Sequence, residues 1–168
     1  MQATRILAIR HGETAWNVDT RIQGQLDIPL NETGLQQARW MAQALAERDA
    51  LQAIYASDLS RAHVTAQTLA SQVGLAVTAH TGLRERAFGD FQGRTFAEIE
   101  VELPDDAHHW RKRTPEWTPP GAGESLIALR ERVLATVDEL AARHVGQQIA
   151  LVAHGGVMDV LYRAATRL

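Results

Sequence analysis

The sequence predicts an α/β protein, a three-layer α/β/α sandwich with a mostly parallel sheet. Two observations carry this prediction. Four short apolar runs have the length and composition of buried strands, and helical segments with one apolar face separate them along the chain. The four runs span residues 6–9, 53–56, 75–78 and 149–152. Strands that alternate with helices in this way are typical of βαβ units, in which neighbouring strands run parallel.

Length and composition indicate a single globular domain over residues 1–168. The chain is 45% hydrophobic and 22% charged, as ordinary folded proteins are. Its net charge of −3 provides no overall positive field for nucleic acid or an acidic membrane surface, so an anionic ligand needs a local cluster of arginines. There are no cysteines, which excludes disulfides, thiolate metal sites and a cysteine nucleophile. No apolar run approaches the roughly 18 residues of a membrane span. We therefore expect a soluble, cytoplasmic protein.

The helical segments carry recognisable start and stop signals. Thr33 opens a capping box and is the predicted N-cap of the first long helix. Ser57 or Asp58 is expected to cap the next helix, and Gly74 is expected to end it. Further helices are predicted over residues 95–103, 124–144 and 155–167. Pro104 is expected to stop the first of these three.

Three polar segments without a regular period are expected to be loops. They span residues 14–29, 83–93 and 105–120. The last segment contains several prolines and two tryptophans, and we interpret it as a lid or an insertion over a site. It also holds His108 and His109 beside Asp105 and Asp106. Adjacent histidines on a helix point in different directions, so a metal site is not favoured there.

Charged and polar side chains follow each of the four predicted strands. Arg10 and His11 end the first strand, Arg61 follows the second, Glu85 follows the third and His154 ends the fourth. Because ligands gather beyond the carboxyl ends of strands in such sheets, we expect these five residues to form one site. Arg61 supports this interpretation, since an arginine in the first turn of a helix opposes the helix dipole unless an anion lies nearby.

The residue types at this site suit a phosphoryl group. Two arginines, the imidazoles and the backbone amides of Gly155 and Gly156 at a helix start can neutralise its negative charge. A neutral imidazole can accept the phosphoryl group, while Glu85 can protonate the departing alcohol and later activate water. No P-loop or Gly-x-Gly-x-x-Gly motif is present, so a nucleotide motor or a Rossmann cofactor is not supported. Taken alone, these residues predict a phosphate site whose nucleophile stays open.

Several motifs resemble those of the histidine phosphatase superfamily, which includes the cofactor-dependent phosphoglycerate mutases. They occur in the family's order and span most of the chain, at residues 10–14 with Trp16 and Asn17, 57–62, 85–93, 123–125 and 152–156. The resemblance implies that His11 is the nucleophile that becomes phosphorylated and that Glu85 is the proton donor. It also implies that Arg10, Arg61 and His154 bind and polarise the phosphoryl group.

The resemblance further indicates how substrate is held. Asn17, Gln23 and Gly24 match positions that line the family's pocket. The backbone amide of Gly155 is also expected to bind substrate or phosphate. No cofactor or metal is implied, and the expected partner is a small phosphorylated metabolite, while a homodimer stays open. Family members usually continue after the last helix into a further strand, whereas this chain stops at Leu168. We therefore expect either an incomplete chain or an uncovered sheet edge.

A phosphatase is favoured over a mutase. The interval between Glu85 and His154 is short, at 69 positions (154 − 85), whereas true mutases of the family carry a longer insertion there. Gln23 also resembles the phosphatase branch. We therefore predict a metal-independent phosphomonoesterase that acts through a phosphohistidine.

Three alternatives to a phosphatase stay open. They are a cofactor-dependent phosphoglycerate mutase, a binding module that holds phosphorylated ligands without turnover, and a metallohydrolase that uses His11 and His154. The identity of the substrate also stays open. Selectivity is expected to come from the loop around Gln23 and from residues 105–120.

Overall fold

The computed structural model describes residues 2–168 and confirms the α/β fold class. Its strands are β1 (Arg5–Arg10), β2 (Ala53–Ala56), β3 (Val77–Ala79) and β4 (Gln148–Ala153). They form one parallel sheet in the order β1-β4-β2-β3. β2 has its predicted bounds, β1 and β4 are one residue longer at both ends, and β3 begins two residues later than predicted.

Helices cover both faces of this sheet. Over residues 2–168 they are α1 (Ala15–Val18), α2 (Glu32–Arg48), α3 (Ser60–Val73), α4 (Phe96–Glu102), α5 (Pro104–Lys112), α6 (Leu126–Ala142) and α7 (Gly155–Thr166). Two single-turn 3₁₀ helices, Thr81–Leu83 and Gly89–Phe91, interrupt the segment between β3 and α4. In this part of the chain no helix is both long and apolar enough to cross a membrane.

The central strand β4 is buried on both faces. Ala150 and Val152 pack with α2 and α3, in a cluster that includes Leu69. Ile149 and Leu151 pack on the opposite side, against α6 and α7. Side chains alternate between the two faces of a strand, so a strand covered on both faces needs apolar residues at every position. This is why the sequence of β4 is a continuous apolar run.

The strand register places the carboxyl ends of β1, β2 and β4 at one edge of the sheet. Arg10 pairs with Ala153 in the ladder between β1 and β4. Backbone hydrogen bonds continue past the strand ends, since the His11 N–H donates to the Ala153 carbonyl at 3.0 Å and the Ser57 N–H donates to the Val152 carbonyl at 3.0 Å. The residues that follow these strands therefore meet at one edge.

Two predicted helix caps are wrong, the first for a local reason and the second for a tertiary one. The first long helix begins at Glu32, because the Asn31 side chain accepts the Gly34 N–H at 2.8 Å in place of a cap at Thr33. α3 begins after Leu59 with no side-chain cap. Ser57 instead lies beside His154, and Asp58 accepts a two-pronged ion pair from Arg84. The predicted end of α3 at Gly74 is confirmed, with a φ of 71°.

The segment predicted as a polar lid over residues 105–120 is partly helical. Pro104 follows α4 and is also the first residue of α5. Proline is tolerated there because the N–H of the first helical residue has no partner within the helix. The two tryptophans belong to a small separate core, where the Phe91 ring lies 5.4 Å from Trp110 and 5.6 Å from Trp117, measured between ring centroids. Aromatic packing therefore holds this segment together. The predicted loop over residues 14–29 likewise contains a single helical turn, α1.

Candidate active site

His11 lies directly after β1 with its proton position set by a backbone contact. Its Nδ1 lies 2.6 Å from the Gly12 carbonyl oxygen. A carbonyl can only accept, so Nδ1 carries the hydrogen and Nε2 keeps its lone pair in the neutral ring. The pKa of His11 is lowered from 6.5 to about 4, mainly by burial; the Gly12 hydrogen bond opposes this shift, and the positive charges of Arg61 and Arg10 contribute to it. The ring is therefore neutral at pH 7, with Nε2 available to attack an electrophile.

His154 lies at the end of β4 and is fully buried. Its ring centroid is 5.2 Å from that of His11, with the two planes inclined at 59°. Burial lowers the pKa of His154 to about 2, and the charge of Arg61 is the next largest cause. Nε2 lies 2.8 Å from the Ser57 hydroxyl oxygen, whereas Nδ1 has no hydrogen-bond partner among residues 2–168.

Arg61, in the first turn of α3, is buried rather than solvated. Its two terminal nitrogens donate to the Leu26 carbonyl at 2.7 Å and to the Gly24 carbonyl at 2.6 Å. Its Nε is buried and has no partner within the described part of the chain. Burial lowers the pKa of the guanidinium, while the carboxylates of Glu85 and Asp27 raise it. A buried cation with an unsatisfied N–H favours an anion in this place, because an unpaired buried donor costs about 1–3 kcal/mol.

Glu85 is held by two backbone amides. Its Oε1 accepts the Arg86 N–H at 2.7 Å, and its Oε2 accepts the Gly156 N–H in the first turn of α7 at 3.0 Å. A Cβ atom at position 156 would lie 2.2 Å from Oε1, so a side chain there would displace the Glu85 carboxylate from this position. The amide of Gly156, which was expected to serve a phosphoryl group, is therefore engaged by Glu85. Gly155 remains beside Arg10, with a hypothetical Cβ 3.6 Å from the guanidinium carbon.

A cavity of about 360 Å³ opens beside His11. Its lining consists of Arg10, His11, Gly12, Glu13, Asn17 and Gln37. A smaller cavity of about 140 Å³ shares Arg10, His11, Gly12 and Gln37. Larger hollows of about 410 and 470 Å³ lie elsewhere on the surface, but neither lining includes a residue of the predicted cluster. Of the five predicted residues, Arg10 and His11 line these two cavities, whereas Arg61, Glu85 and His154 are not among the lining residues. Because it contains the proposed nucleophile, the cavity beside His11 is the candidate site.

The sequence matches a known family along almost its whole length. The profile of the histidine phosphatase superfamily (branch 1) matches residues 6–168. The chain belongs to the histidine phosphatase superfamily. It is a phosphatase of this superfamily, and the resemblance drawn from its motifs is thereby confirmed.

Relatives in other organisms support this membership along nearly the whole chain. A glucosyl-3-phosphoglycerate phosphatase of Mycobacterium tuberculosis is 40% identical over 176 residues, which cover 100% of this chain and 78% of that protein. Phosphoglycerate mutase-like protein 4 of Arabidopsis thaliana is 39% identical over 161 residues, covering 95% of this chain and 70% of that protein. The native structure of a mycobacterial glucosyl-3-phosphoglycerate phosphatase superposes with a TM-score of 0.89 at 39% identity, covering 99% of this chain and 81% of the other.

Two of the predicted substrate-binding positions of this histidine phosphatase lie behind other site residues. Gln23 is buried, and its Oε1 accepts the Thr14 hydroxyl at 2.7 Å. Gly24 has a φ of 53° and accepts Arg61 through its carbonyl. Asn17 lines the cavity. A direct substrate contact thus stays a prediction for all three, and Gln23 and Gly24 have evident roles in supporting Thr14 and Arg61.

The structure also assigns roles to residues that sequence reasoning missed. The Gly12 N–H donates to the Thr65 hydroxyl at 3.2 Å, which ties the loop after β1 to α3. Ser57 contacts His154, and the pair of Arg132 and Glu124 braces the segment that carries Glu85. Glu124 lies in a motif shared with the family, but only the folded chain reveals its partner.

The histidine pair in α5 is arranged for packing. The ring of His109 stacks on Trp117 with centroids 6.1 Å apart and an interplanar angle of 12°. The rings of His108 and His109 are inclined at 75° to each other, as expected for neighbours on a helix. Across residues 2–168 no three histidine or carboxylate side chains come together as a metal-binding group.

Proposed function

We propose that this histidine phosphatase hydrolyses phosphomonoesters of small metabolites in two steps, with His11 as the phosphorylated nucleophile. The contact between His11 Nδ1 and the Gly12 carbonyl, at 2.6 Å, carries this proposal. It leaves an unprotonated Nε2 in a ring that is neutral at pH 7.

In the first step, His11 Nε2 attacks phosphorus and the bond from phosphorus to the ester oxygen breaks. Glu85 gives its proton to the departing alcohol oxygen. In the second step, water attacks the phosphohistidine, Glu85 takes a proton from that water, and the P–N bond breaks to release phosphate. Two backbone amides hold the Glu85 carboxyl in place for both transfers.

Arg10, Arg61 and His154 are proposed to hold the phosphoryl oxygens. Two observations support this role: Arg10 lines the cavity beside His11, and both Arg61 Nε and His154 Nδ1 are buried without a partner among residues 2–168. An anion within reach of these buried groups would satisfy them, and the low local dielectric would strengthen its interactions with them.

The proposed substrate class is a small phosphorylated metabolite with a hydroxylated leaving group. The cavity of about 360 Å³ has the size of a small-molecule site, and Glu13, Asn17 and Gln37 give its wall hydrogen-bonding capacity. The relative named as a glucosyl-3-phosphoglycerate phosphatase supports a substrate of this kind. Hydrolysis of a panel containing sugar phosphates, phosphoglycerates, glucosyl-3-phosphoglycerate and nucleoside monophosphates will rank the candidates.

The mechanism is tested with 4-nitrophenyl phosphate. We expect turnover that survives a metal chelator, and a phosphohistidine that is trapped by an alkaline quench and located at His11 by mass spectrometry. His11→Asn should lose about 10⁴-fold or more in kcat, as removal of a nucleophile does in other enzymes. His63→Asn, on α3, is the matched control. Retained turnover in His11→Asn, or loss of wild-type activity with chelator, would overturn the mechanism.

The relative named as phosphoglycerate mutase-like gives the mutase alternative a specific observation in its favour. The same preparation distinguishes the two activities. A phosphatase releases inorganic phosphate from 3-phosphoglycerate or another ester, whereas a mutase interconverts 2- and 3-phosphoglycerate and is stimulated by 2,3-bisphosphoglycerate. Phosphate binding with neither reaction would instead support a binding module.

A further inference from the structure

Ser57 lies between β2 and α3 with its side chain fully buried. Its Oγ is 2.8 Å from His154 Nε2, and it accepts the Leu59 N–H at 3.3 Å. The phosphatase mechanism described above does not use this hydroxyl. It was expected to cap α3, but α3 begins without a side-chain cap.

Proton accounting decides the direction of the contact between Ser57 and His154. A serine hydroxyl has one hydrogen to donate and two lone pairs. The Leu59 N–H occupies one lone pair, and among residues 2–168 the acceptor within reach of the hydroxyl hydrogen is His154 Nε2. If Ser57 donates to Nε2, that nitrogen has no hydrogen, and the single proton of a neutral ring is on Nδ1.

The opposite tautomer fits the site less well. With the proton on Nε2, that N–H would donate to Ser57 and leave the serine hydrogen buried without an acceptor. The bare Nδ1 would then present a lone pair in a site proposed to hold oxyanions. Leaving a buried donor unsatisfied costs about 1–3 kcal/mol. A hydrogen on Nδ1 instead supplies a donor at an atom that has no partner within the described chain.

Electrostatics agree that the ring is neutral. His154 is fully buried, and the permanent charges that lower its pKa are the guanidiniums of Arg61, Arg132 and Arg10, in decreasing order of effect. These surroundings disfavour an imidazolium. A neutral ring can be a donor at only one nitrogen, so its partner at the other nitrogen determines what it can do.

We propose that Ser57 is a positioning residue that holds His154 as the neutral tautomer protonated at Nδ1. His154 is thereby a hydrogen-bond donor to a phosphoryl oxygen and does not act as a base. The inference rests on the proposed function only in naming the phosphoryl group as the recipient of this hydrogen bond.

The decisive measurement is the ¹⁵N NMR spectrum of the His154 ring in the whole protein, with and without saturating inorganic phosphate. The His154 signals are assigned by their loss in His154→Gln. We expect the wild type to have a protonated Nδ1 and a bare Nε2, and to keep this tautomer with phosphate bound. A proton on Nε2 alone, or on both nitrogens in the phosphate complex, would overturn the proposal.

Variants at Ser57 test the role of the hydroxyl. Ser57→Ala should shift the ring toward the Nε2-protonated tautomer, weaken inhibition by inorganic phosphate about 10-fold and lower kcat about 10-fold, as expected for one hydrogen bond. Ser57→Thr keeps the hydroxyl and should restore the Nδ1-protonated spectrum. Ser71→Ala, at an exposed serine on the following helix α3, is the control and should match the wild type. A wild-type spectrum in Ser57→Ala would also overturn the proposal.

The two proposals fail in different ways. Absence of a trapped phosphohistidine in the wild type contradicts the proposed mechanism but does not affect the tautomer measured by NMR. A phosphohistidine that forms normally while wild-type His154 is protonated at Nε2 contradicts the role of Ser57 alone. Failure of Ser57→Thr to fold leaves the wild-type spectrum and Ser57→Ala to decide.

Discussion

The Arg132 guanidinium on α6 donates to both carboxylate oxygens of Glu124, at 2.8 and 2.7 Å. The same guanidinium donates to the backbone carbonyls of Gly82, Arg84 and Glu85, at 3.0, 3.0 and 3.3 Å. The side chains of this ion pair are largely buried, with 25% and 14% of their surface exposed. The pair therefore fixes the segment that carries Glu85 against α6. Through the backbone of that segment it sets the position of the proposed proton donor.

Arg132→Met should lower kcat by about 10–100-fold with a smaller change in KM, because a small displacement of a catalytic group is costly for the reacting geometry. It should also lower the free energy of unfolding by about 1–3 kcal/mol, since Glu124 loses its partner. Steady-state kinetics and urea unfolding measure the two effects. Arg130→Met, an exposed arginine on the same helix, is the control. An unchanged kcat in Arg132→Met would show that Glu85 does not depend on this brace.

Gly12 and Gly34 lie where the loop after β1 meets the first turn of α2, and neither position has room for a Cβ atom. A Cβ atom at position 12 would lie 2.4 Å from the Gly34 carbonyl oxygen, and a Cβ atom at position 34 would lie 2.1 Å from the Glu13 carbonyl oxygen. The close approach at Gly12 is to the backbone of α2. The loop after β1 and the first turn of α2 therefore pack backbone against backbone.

We expect Gly12→Ala and Gly34→Ala each to cost about 1–3 kcal/mol of unfolding free energy, as overpacking does. Gly12→Ala should also lower turnover, because the Gly12 carbonyl orients His11. Gly74→Ala is a useful comparison: its Cβ meets nothing within 4 Å, and only its φ of 71° opposes the substitution, at about 1 kcal/mol. Urea midpoints for the three variants test this order. A smaller cost at position 12 than at position 74 would contradict it.

The buried histidines should make the fold sensitive to acid. The pKa of His11 is about 4 and that of His154 about 2 in the folded state, against 6.5 for an unperturbed histidine. Below pH 6.5 the unfolded chain binds protons that the folded chain does not, so the free energy of unfolding falls as the pH falls. For His11 this loss begins near pH 6.5 and is complete near pH 4, and for His154 it continues toward pH 2.

The expected loss from His11 is about 3 kcal/mol, since each pKa unit corresponds to about 1.4 kcal/mol. Urea unfolding between pH 7 and pH 4 measures this loss together with that from His154, and the single variants separate the two. His11→Asn and His154→Asn should each reduce the slope of the free energy of unfolding against pH between pH 4 and pH 7. This holds whatever the variants do to stability at pH 7. Ser71→Ala should keep the wild-type slope. Equal slopes in all four proteins would contradict the assignment of neutral, buried imidazoles.

Thr14 joins two of the predicted substrate-binding residues. Its hydroxyl accepts the Asn17 N–H at 3.2 Å and lies 2.7 Å from Gln23 Oε1, while its own N–H donates to Asn17 Oδ1 at 3.0 Å. Thr14→Val keeps the shape but removes the hydroxyl. We expect a loss of about 1–3 kcal/mol in unfolding free energy, because buried polar partners are left unsatisfied.

The same substitution should raise KM more than it lowers kcat, because Asn17 lines the cavity at a distance from the proposed chemistry. Kinetics with 4-nitrophenyl phosphate and one hydroxylated phosphate ester separate the two parameters. Thr68→Val on α3, whose hydroxyl bonds only within its own helix, controls for the loss of a threonine hydroxyl. If KM is unchanged for both substrates, Thr14 has no part in shaping the cavity.

The sequence by itself determined the α/β class, the four strands and the helices α2, α3, α4, α6 and α7, and it predicted that five residues after the strands form one site. Continuous apolar runs locate buried strands, and parallel strands bring their carboxyl ends to one edge of the sheet. The sequence therefore predicts one site from the residues that follow these strands, namely Arg10, His11, Arg61, Glu85 and His154. Gly74 was predicted as the end of α3 from the sequence as well, because the positive φ at a helix end is a local requirement that glycine meets. These features depend on neighbours within a few residues or on the general geometry of α/β sheets.

Only the tertiary structure decided how the polar groups share their hydrogen bonds. The Gly156 amide holds Glu85, Ser57 turns to His154 instead of capping α3, and Asn31 replaces Thr33 as a cap. The contacts of Gly156 and Ser57 join groups that are distant in sequence, whereas Asn31 and Thr33 compete for the same helix start. The winner depends on the distances that strand register and helix packing create, and a buried polar group takes the partner that is within reach once water is excluded.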